Sequence, residues 1–282
     1  MWMRFLNFLA NSIPLCHRTI ILILLGLVLP LGNATAQHFT LDQEFTHIRG
    51  MAGVDGLNNI YSVHNGVLNK YTPDGQVFTY SNRQSGPVAE VFFSDPLNIM
   101  VFFQDFGHVV FLDKNLSEKN LIQGRILHDT DLPSVVCFSY KNGFWAWFPN
   151  AFQLSRFNLQ GGLEVAGQDL SLDFPSLGRV NFMVEKDDQI FLAANGLWIF
   201  DLHANFIFRI PHVQTHHFQI IGNKVFYMKE NKLYSYDFFL KQENVFLLPE
   251  TKPESFFVKD SQIIFLQTRT SLKKFVVDGN LY

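Results

Sequence analysis

The chain of 282 residues is long enough for one large domain or two small ones, and 48% hydrophobic against 17% charged residues exclude a disordered chain. A formal net charge of −3 gives no sign of the basic surface that binds nucleic acid or an anionic membrane, so neither partner is expected. The 31 phenylalanines and only 2 cysteines predict a core of bulky, strand-favouring side chains without a disulfide framework.

The N-terminal segment has the features of a targeting sequence. Arg4 and Arg18 precede an apolar run of about 14 residues, Thr19–Gly32, and the small-x-small pattern Ala34-Thr35-Ala36 follows. This order predicts a signal peptide over residues 1–36, cleaved before Gln37. A retained anchor is the alternative, because the residues before the run are also apolar, although a spanning helix needs about 20 residues. We therefore expect export to the periplasm or cell surface of a bacterium, with no transmembrane span after cleavage.

One pattern recurs six times along the rest of the chain: a short apolar strand, a turn, an aliphatic residue and, three positions later, a large apolar residue. The aliphatic positions recur every 41 residues or so and are Leu68, Val109, Leu154, Leu197, Leu233 and Leu272. Short β-branched and aromatic runs cut by Asn-Gly, Asp-Gly and Gly-Gly exclude helical repeats of similar length. A period near 40 that consists of short strands is typical of the four-stranded blades of a β-propeller.

The predicted fold is therefore all-β, a six-bladed β-propeller of four-stranded antiparallel blades in a single domain over residues 37–282. The predicted blades span roughly 47–82, 88–123, 134–168, 180–211, 216–249 and 255–282. After the last apolar strand, Leu272 to Val276, too few residues remain for a fourth strand in the sixth blade. The alternating segment 37–44 precedes the first blade, so we expect it to complete the sixth blade and to close the ring.

The first repeat carries the clearest resemblance to a known family. Its segments DGLNNIYSV (55–63) and LNKYTPDG (68–75) resemble the NHL-type repeat, D-x-x-G-N-I-Y-V followed by I-x-K-Y-D-x-x-G. The chain from residue 37 onward resembles exported bacterial propellers of the broad NHL-like and quinoprotein-like group. That group includes scaffolds, ligand sensors and some enzymes, so the resemblance implies a fold and no particular reaction.

Polar residues between the second and third strands of the blades are the candidate ligand residues. In propellers these loops and the connections between blades surround one end of the central channel, where ligands bind. The candidates are His64, Gln104, Asp105, Asn150, Asn195, Glu230 and Arg269, with Gly50, Glu90, Pro133 and Arg179 near the entries to the inner strands.

Two other polar clusters have structural explanations. His212, His216 and His217 are close in sequence, but the last two would face opposite sides of a strand, so solvated loop histidines are expected rather than a metal site. The acidic group Glu185, Asp187 and Asp188 is interpreted as the polar turn between the first two strands of the fourth blade.

The remaining unusual side chains are expected in the core. Cys137 stands in the apolar run VVCF, which predicts a buried, unreactive thiol. Trp145 and Trp147 share one side of a predicted middle strand, where packing between blades would cover them.

The sequence favours a non-catalytic binding or protein-interaction module in the cell envelope, a monomer with a protein or glycan partner and without a cofactor. It contains no G-x-S-x-G, Walker or H-E-x-x-H motif. The alternative is a calcium-dependent hydrolase or lactonase at the channel mouth, where Asp105, Asn150 and Asn195 could supply oxygen ligands. Converging oxygen ligands from three or more blades would favour the enzyme, and a plugged or aromatic-lined channel would favour the binding module.

Overall fold

The structure is a computed structural model that describes residues 37–250 and 252–282. The predicted signal peptide, residues 1–36, lies outside the described residues. The described chain forms six four-stranded antiparallel sheets and one short helix, α1 (Gly124–Leu127). None of its helices is long and apolar enough to cross a membrane.

Each sheet is one blade, with an inner strand at the channel, two middle strands and an outer strand. The strands of blades one to three are β2 (Met51–Val54), β3 (Ile60–His64), β4 (Val67–Tyr71), β5 (Val77–Tyr80); β6 (Glu90–Phe92), β7 (Ile99–Phe103), β8 (His108–Leu112), β9 (Glu118–Ile122); β10 (Val135–Ser139), β11 (Gly143–Phe148), β12 (Gln153–Asn158) and β13 (Leu163–Ala166). Those of blades four to six are β14 (Phe182–Lys186), β15 (Gln189–Ala194), β16 (Gly196–Asp201), β17 (Phe206–Ile210); β18 (Phe218–Ile221), β19 (Lys224–Lys229), β20 (Lys232–Asp237), β21 (Gln242–Leu247); β22 (Ser255–Val258), β23 (Ile263–Gln267), β24 (Leu272–Val277) and β1 (Phe39–Phe45). The predicted six-bladed propeller is confirmed.

The middle strands are apolar throughout because neighbouring blades cover both of their faces. All five residues of β7 and all six of β11 are buried, which a strand with one solvated face would not allow. The outer strand β13 has three exposed residues out of four. The core is therefore a set of apolar layers between blades rather than one central cluster.

The predicted core residues lie in these layers. Trp145 and Trp147 are 0% and 1% exposed in the largest apolar cluster, and Cys137 is a buried free thiol in the same cluster. Burial raises the pKa of this thiol, which disfavours the reactive thiolate.

The turn between β14 and β15 is a two-residue hairpin loop with left-handed backbone. Asp187 and Asp188 have φ of 50° and 60° between Lys186 and Gln189, which pair across the turn. These two aspartates form the predicted polar turn.

The sixth blade contains both ends of the described chain, as predicted. β1 pairs antiparallel with β24, from Phe39 opposite Val277 to Phe45 opposite Leu272. Most of β1 is exposed, and its two phenylalanines are the half-buried residues at its ends. The ring is thus closed by backbone pairing, two apolar anchors and polar side-chain contacts, among them the Asp42–Lys274 ion pair at 2.6 Å, since no disulfide is formed in the described chain.

Candidate functional site

The inner strands of the six blades surround a central cavity of about 590 Å³. Its walls are mainly apolar and aromatic. The aromatic lining residues are Phe92, Phe93, Phe138, Tyr140, Phe182, Phe218, Phe256 and Phe257. A cavity of this volume with a few polar groups among aromatic walls has the properties of a small-molecule site.

Five lining residues occupy equivalent places at the start of their inner strands, and we call them the mouth ring. Glu90, Phe182 and Ser255 are the first residues of β6, β14 and β22, and Gly50 and His217 immediately precede β2 and β18. All inner strands enter the channel from the connections between blades, so these residues surround the same end of it. Glu90 in blade two and His217 in blade five are three blades apart and lie on opposite sides of the mouth.

Two channel carboxylates are held by hydrogen bonds from the protein. Asp55 accepts from the backbone and side-chain nitrogens of Asn59 at 2.9 and 2.7 Å and from the Tyr61 hydroxyl at 3.1 Å. Glu185 is 2% exposed and accepts from Trp145 Nε1 at 2.6 Å. Both carboxylates therefore have structural roles, since neighbouring residues already donate hydrogen bonds to them.

The two titratable groups of the mouth ring are perturbed by their surroundings. Burial raises the pKa of the Glu90 carboxyl from 4.5 to about 7. Burial also lowers the pKa of His217 from 6.5 to about 4. His217 is exposed at the mouth, and the Phe182 ring packs beside it, 4.3 Å away between centroids. His217 is therefore a neutral imidazole at physiological pH.

Aromatic rings narrow the channel beside the first blade. Phe93 stacks on Tyr61 at 4.6 Å between ring centroids, and the Phe257 ring lies 6.2 Å from that of Phe93. Both phenylalanines lie against Gly53, where a Cβ atom would come within 2.4 Å of Phe93 Cζ and 2.6 Å of Phe257 Cε2. Gly53 thus makes room for rings from the adjacent blades.

A side-chain amide also joins two blades at the channel wall. Gln219 in blade five accepts a hydrogen bond from the Val258 backbone nitrogen at 2.7 Å and donates to its carbonyl at 3.3 Å. This bidentate contact fixes the spacing between the inner strands of blades five and six.

The predicted ligand residues surround the mouth without lining the cavity. All seven are exposed, at or beside the turns between middle strands, on the face that holds the mouth ring: His64, Gln104, Asp105, Asn150, Asn195, Glu230 and Arg269. Three of them hold nearby backbone or side chains: Gln104 donates to the Ser134 carbonyl, Asn150 to Asp131 and Asn195 to the Ser176 carbonyl. Their role in binding stays a prediction. In the described chain, no group of three His, Cys, Asp or Glu residues is arranged to hold a metal ion.

The residues predicted near the strand entries divide into two kinds. Gly50 and Glu90 line the cavity, whereas Pro133 and Arg179 do not. Pro133 is buried instead and packs under Gly107, where an added Cβ would lie 2.7 Å from its Cδ.

The structure adds to one sequence interpretation and corrects another. His212, His216 and His217 are exposed in the connection before β18, as predicted, but the structure adds that His217 lines the cavity as part of the mouth ring. Glu185 is in β14, buried against the neighbouring blade, and not in the polar turn. The sequence signal that could have placed His217 at the mouth is its position in the fifth repeat. It stands at the start of the inner strand, as Glu90 does in the second repeat.

Comparisons with known proteins support the fold. The sequence matches no protein-family model and no curated protein sequence. Among solved structures, a streptogramin B lyase superposes with a TM-score of 0.57 at 10% identity, covering 87% of this chain and 100% of the lyase. PorZ, a bacterial surface component of the type-IX secretion system of Porphyromonas gingivalis, gives 0.50 at 14% identity, over 84% of this chain and 34% of PorZ. A chain of the nidogen/laminin complex gives 0.53 at 12% identity, over 70% and 80%.

Identities this low show the propeller fold alone. The neighbours include both an enzyme and proteins of binding or scaffold type. The fold is therefore compatible with either class of function, and the function must be argued from the channel.

Proposed function

We propose that the chain is an exported, non-catalytic binding module of the cell envelope, and that its ligand or partner docks at the channel mouth. The observation that carries this proposal is the aromatic-lined central cavity of about 590 Å³. Aromatic side chains supply large, rigid contact surfaces that dominate the energy of binding sites. An aromatic lining was the feature expected of a binding module.

The surroundings of the mouth fit the same function. The exposed polar turn residues form a rim around an apolar centre, which is the usual composition of a recognition surface. Their exposure leaves them accessible to a protein or glycan that covers the mouth. PorZ, a bacterial surface component with a similar fold, offers a precedent for a propeller in the cell envelope.

The calcium-dependent hydrolase is the second candidate, and one observation favours an enzyme at this site. Glu90 has a pKa of about 7, which suits a group that donates and accepts protons near neutral pH. The streptogramin B lyase shows that an enzyme can have this architecture. The two candidates share the channel and differ in whether bound molecules are converted.

A thermal-shift screen of the purified protein tests the proposal. Sugars, peptides, small organic molecules, calcium, magnesium and zinc are added separately, since any ligand of the folded state raises the melting temperature. We expect organic or peptide ligands to raise it, and Ser255→Trp, which adds a ring to the mouth, to abolish the shift. Asn223→Trp, exposed on the opposite face, is the matched control and should preserve the shift.

Two results would contradict the binding module. A large shift with calcium alone, accompanied by hydrolysis of lactone or ester substrates, would support the enzyme instead. A ligand shift that is the same in the Ser255→Trp and Asn223→Trp variants would show that binding occurs away from the channel.

A further inference from the structure

We infer that the channel binds an organic cation, a protonated or quaternary amine on an aromatic or alkyl body, with Glu90 as its counter-ion. This inference rests on the proposed function because it names the ligand class of the same channel. It is carried by the charge and the aromatic composition of the cavity wall.

The channel wall has an excess of negative charge. Among the residues of 37–250 and 252–282 that line it, three are acidic and none is lysine or arginine. Asp55 and Glu185 are occupied by hydrogen bonds from neighbouring residues. Glu90 differs, because within the described chain no hydrogen bond or ion pair to its carboxylate shifts its pKa, and burial alone raises it. Its carboxylate is the group of the channel that a ligand cation can neutralise.

The aromatic wall favours an organic cation over an inorganic one. Phe92 ends the inner strand that Glu90 begins, Phe93 follows it directly, and Phe182 lines the same mouth. Ring faces attract ammonium groups through their quadrupole and also bury the apolar body of the ligand. Calcium, in contrast, takes six to eight oxygen ligands, which aromatic rings do not provide.

The opposite side of the mouth does not repel such a ligand. His217 faces Glu90 across the channel and carries no charge near neutral pH, because burial lowers its pKa to about 4. The other titratable groups of the lining are Asp55, Glu185 and Tyr140, which add no positive charge. A cation bound inside the cavity therefore lies against a lining of neutral and negative groups only.

Ionisation of Glu90 should make binding pH-dependent. The raised pKa means that the carboxyl is largely protonated at pH 6 and ionised at pH 8. A cation binds the ionised form, so affinity should rise with pH across this range. By linkage, binding near pH 7 should also release a proton from Glu90 to the buffer.

Isothermal titration calorimetry with three probes of one shape tests the inference on the purified protein. The probes are 4-phenylbutylammonium, 4-phenylbutanol and 4-phenylbutyrate, which share the aromatic body and differ in the charge of the head group. We expect the cation to bind at least tenfold more tightly than the alcohol at pH 8, and the anion to bind most weakly. Affinity for the cation should fall severalfold from pH 8 to pH 6.

Two variants locate the effect. Glu90→Gln keeps the side-chain volume and should lower the affinity for the cation at least tenfold, leave the alcohol unchanged and remove the pH dependence. Asp188→Asn, exposed at the opposite face, removes one negative charge away from the channel and should bind the cation like the wild type. The melting temperature of each variant verifies that it is folded.

The inference is wrong if the alcohol binds as tightly as the cation, if Glu90→Gln retains the affinity for the cation, or if none of the probes binds. In each of these cases the proposed function stands as long as another ligand gives a thermal shift that Ser255→Trp abolishes. It fails together with the inference only if every ligand shift is insensitive to Ser255→Trp.

Discussion

The ring closure makes a quantitative prediction, because β1 is attached to the sixth blade by few apolar contacts. Phe39 packs against the apolar cluster that contains Phe275, and Phe45 against a separate cluster that contains Leu272. Truncation of a fully buried phenylalanine to alanine costs about 3–5 kcal/mol, so about 2 kcal/mol is expected for each half-buried ring. The anchors are in different clusters, and the double variant Phe39→Ala/Phe45→Ala should lose about 4 kcal/mol.

The assay is thermal unfolding followed by circular dichroism. For a domain of this size, about 4 kcal/mol corresponds to a fall of about 8–16 °C in the melting temperature. Leu41→Ala is the matched control on the same strand, since Leu41 is 49% exposed and its truncation should cost about 0.5 kcal/mol or less. Deletion of residues 37–42 removes half of the pairing with β24 and should also lower the melting temperature. Unchanged melting curves for the double variant and the deletion would refute the closure argument.

Three further predictions concern the channel wall. Glu185→Ala leaves the Trp145 N–H unpaired in the core and should cost about 2–4 kcal/mol in urea unfolding, whereas Glu185→Gln should cost less. Gly53→Val forces a side chain against Phe93 and should cost about 1–3 kcal/mol by the same measurement, while Gly56→Ala, with open space around its Cβ position, should be nearly neutral. Glu90 has a raised pKa in the folded state, so its contribution to stability is full below pH 4.5 and is lost as the pH rises through about 7; Glu90→Gln should therefore be more stable than the wild type at pH 8 and similar to it at pH 4.

The repeat architecture could be predicted because its signals are local. Leu68 and Leu233, two of the repeating aliphatic positions, are completely buried in their middle strands. Their spacing depends only on strand and turn lengths within each blade, which the chain repeats. The closing strand was predictable for the same reason, since the last repeat visibly lacked a fourth strand.

The composition of the channel could not be predicted, because it depends on contacts between blades. On an inner strand, alternate side chains point towards different neighbouring blades, so neither orientation identifies the channel face from the sequence alone. Phe182 and Glu185 in β14 illustrate this: both line the cavity, but the carboxylate is held by Trp145 of the adjacent blade. The position of His217 was ambiguous for the same reason. Its place at the channel mouth follows only from the alignment of β18 with the inner strands of the other blades.

The rim and the channel act on a ligand at different stages. Asp105 and Glu230 on the rim are acidic and Arg269 is basic, so the rim carries exposed charges of both signs above the acidic wall. Exposed charges act over about 8–10 Å in physiological salt and mainly affect the association rate. Glu90 is screened less because protein surrounds it, and it should control the dissociation rate. Added salt should therefore change mainly the association rate of a cationic probe, whereas Glu90→Gln should speed its dissociation, and stopped-flow kinetics separates the two effects. A dissociation rate that is unchanged in Glu90→Gln would place the recognition of charge on the rim.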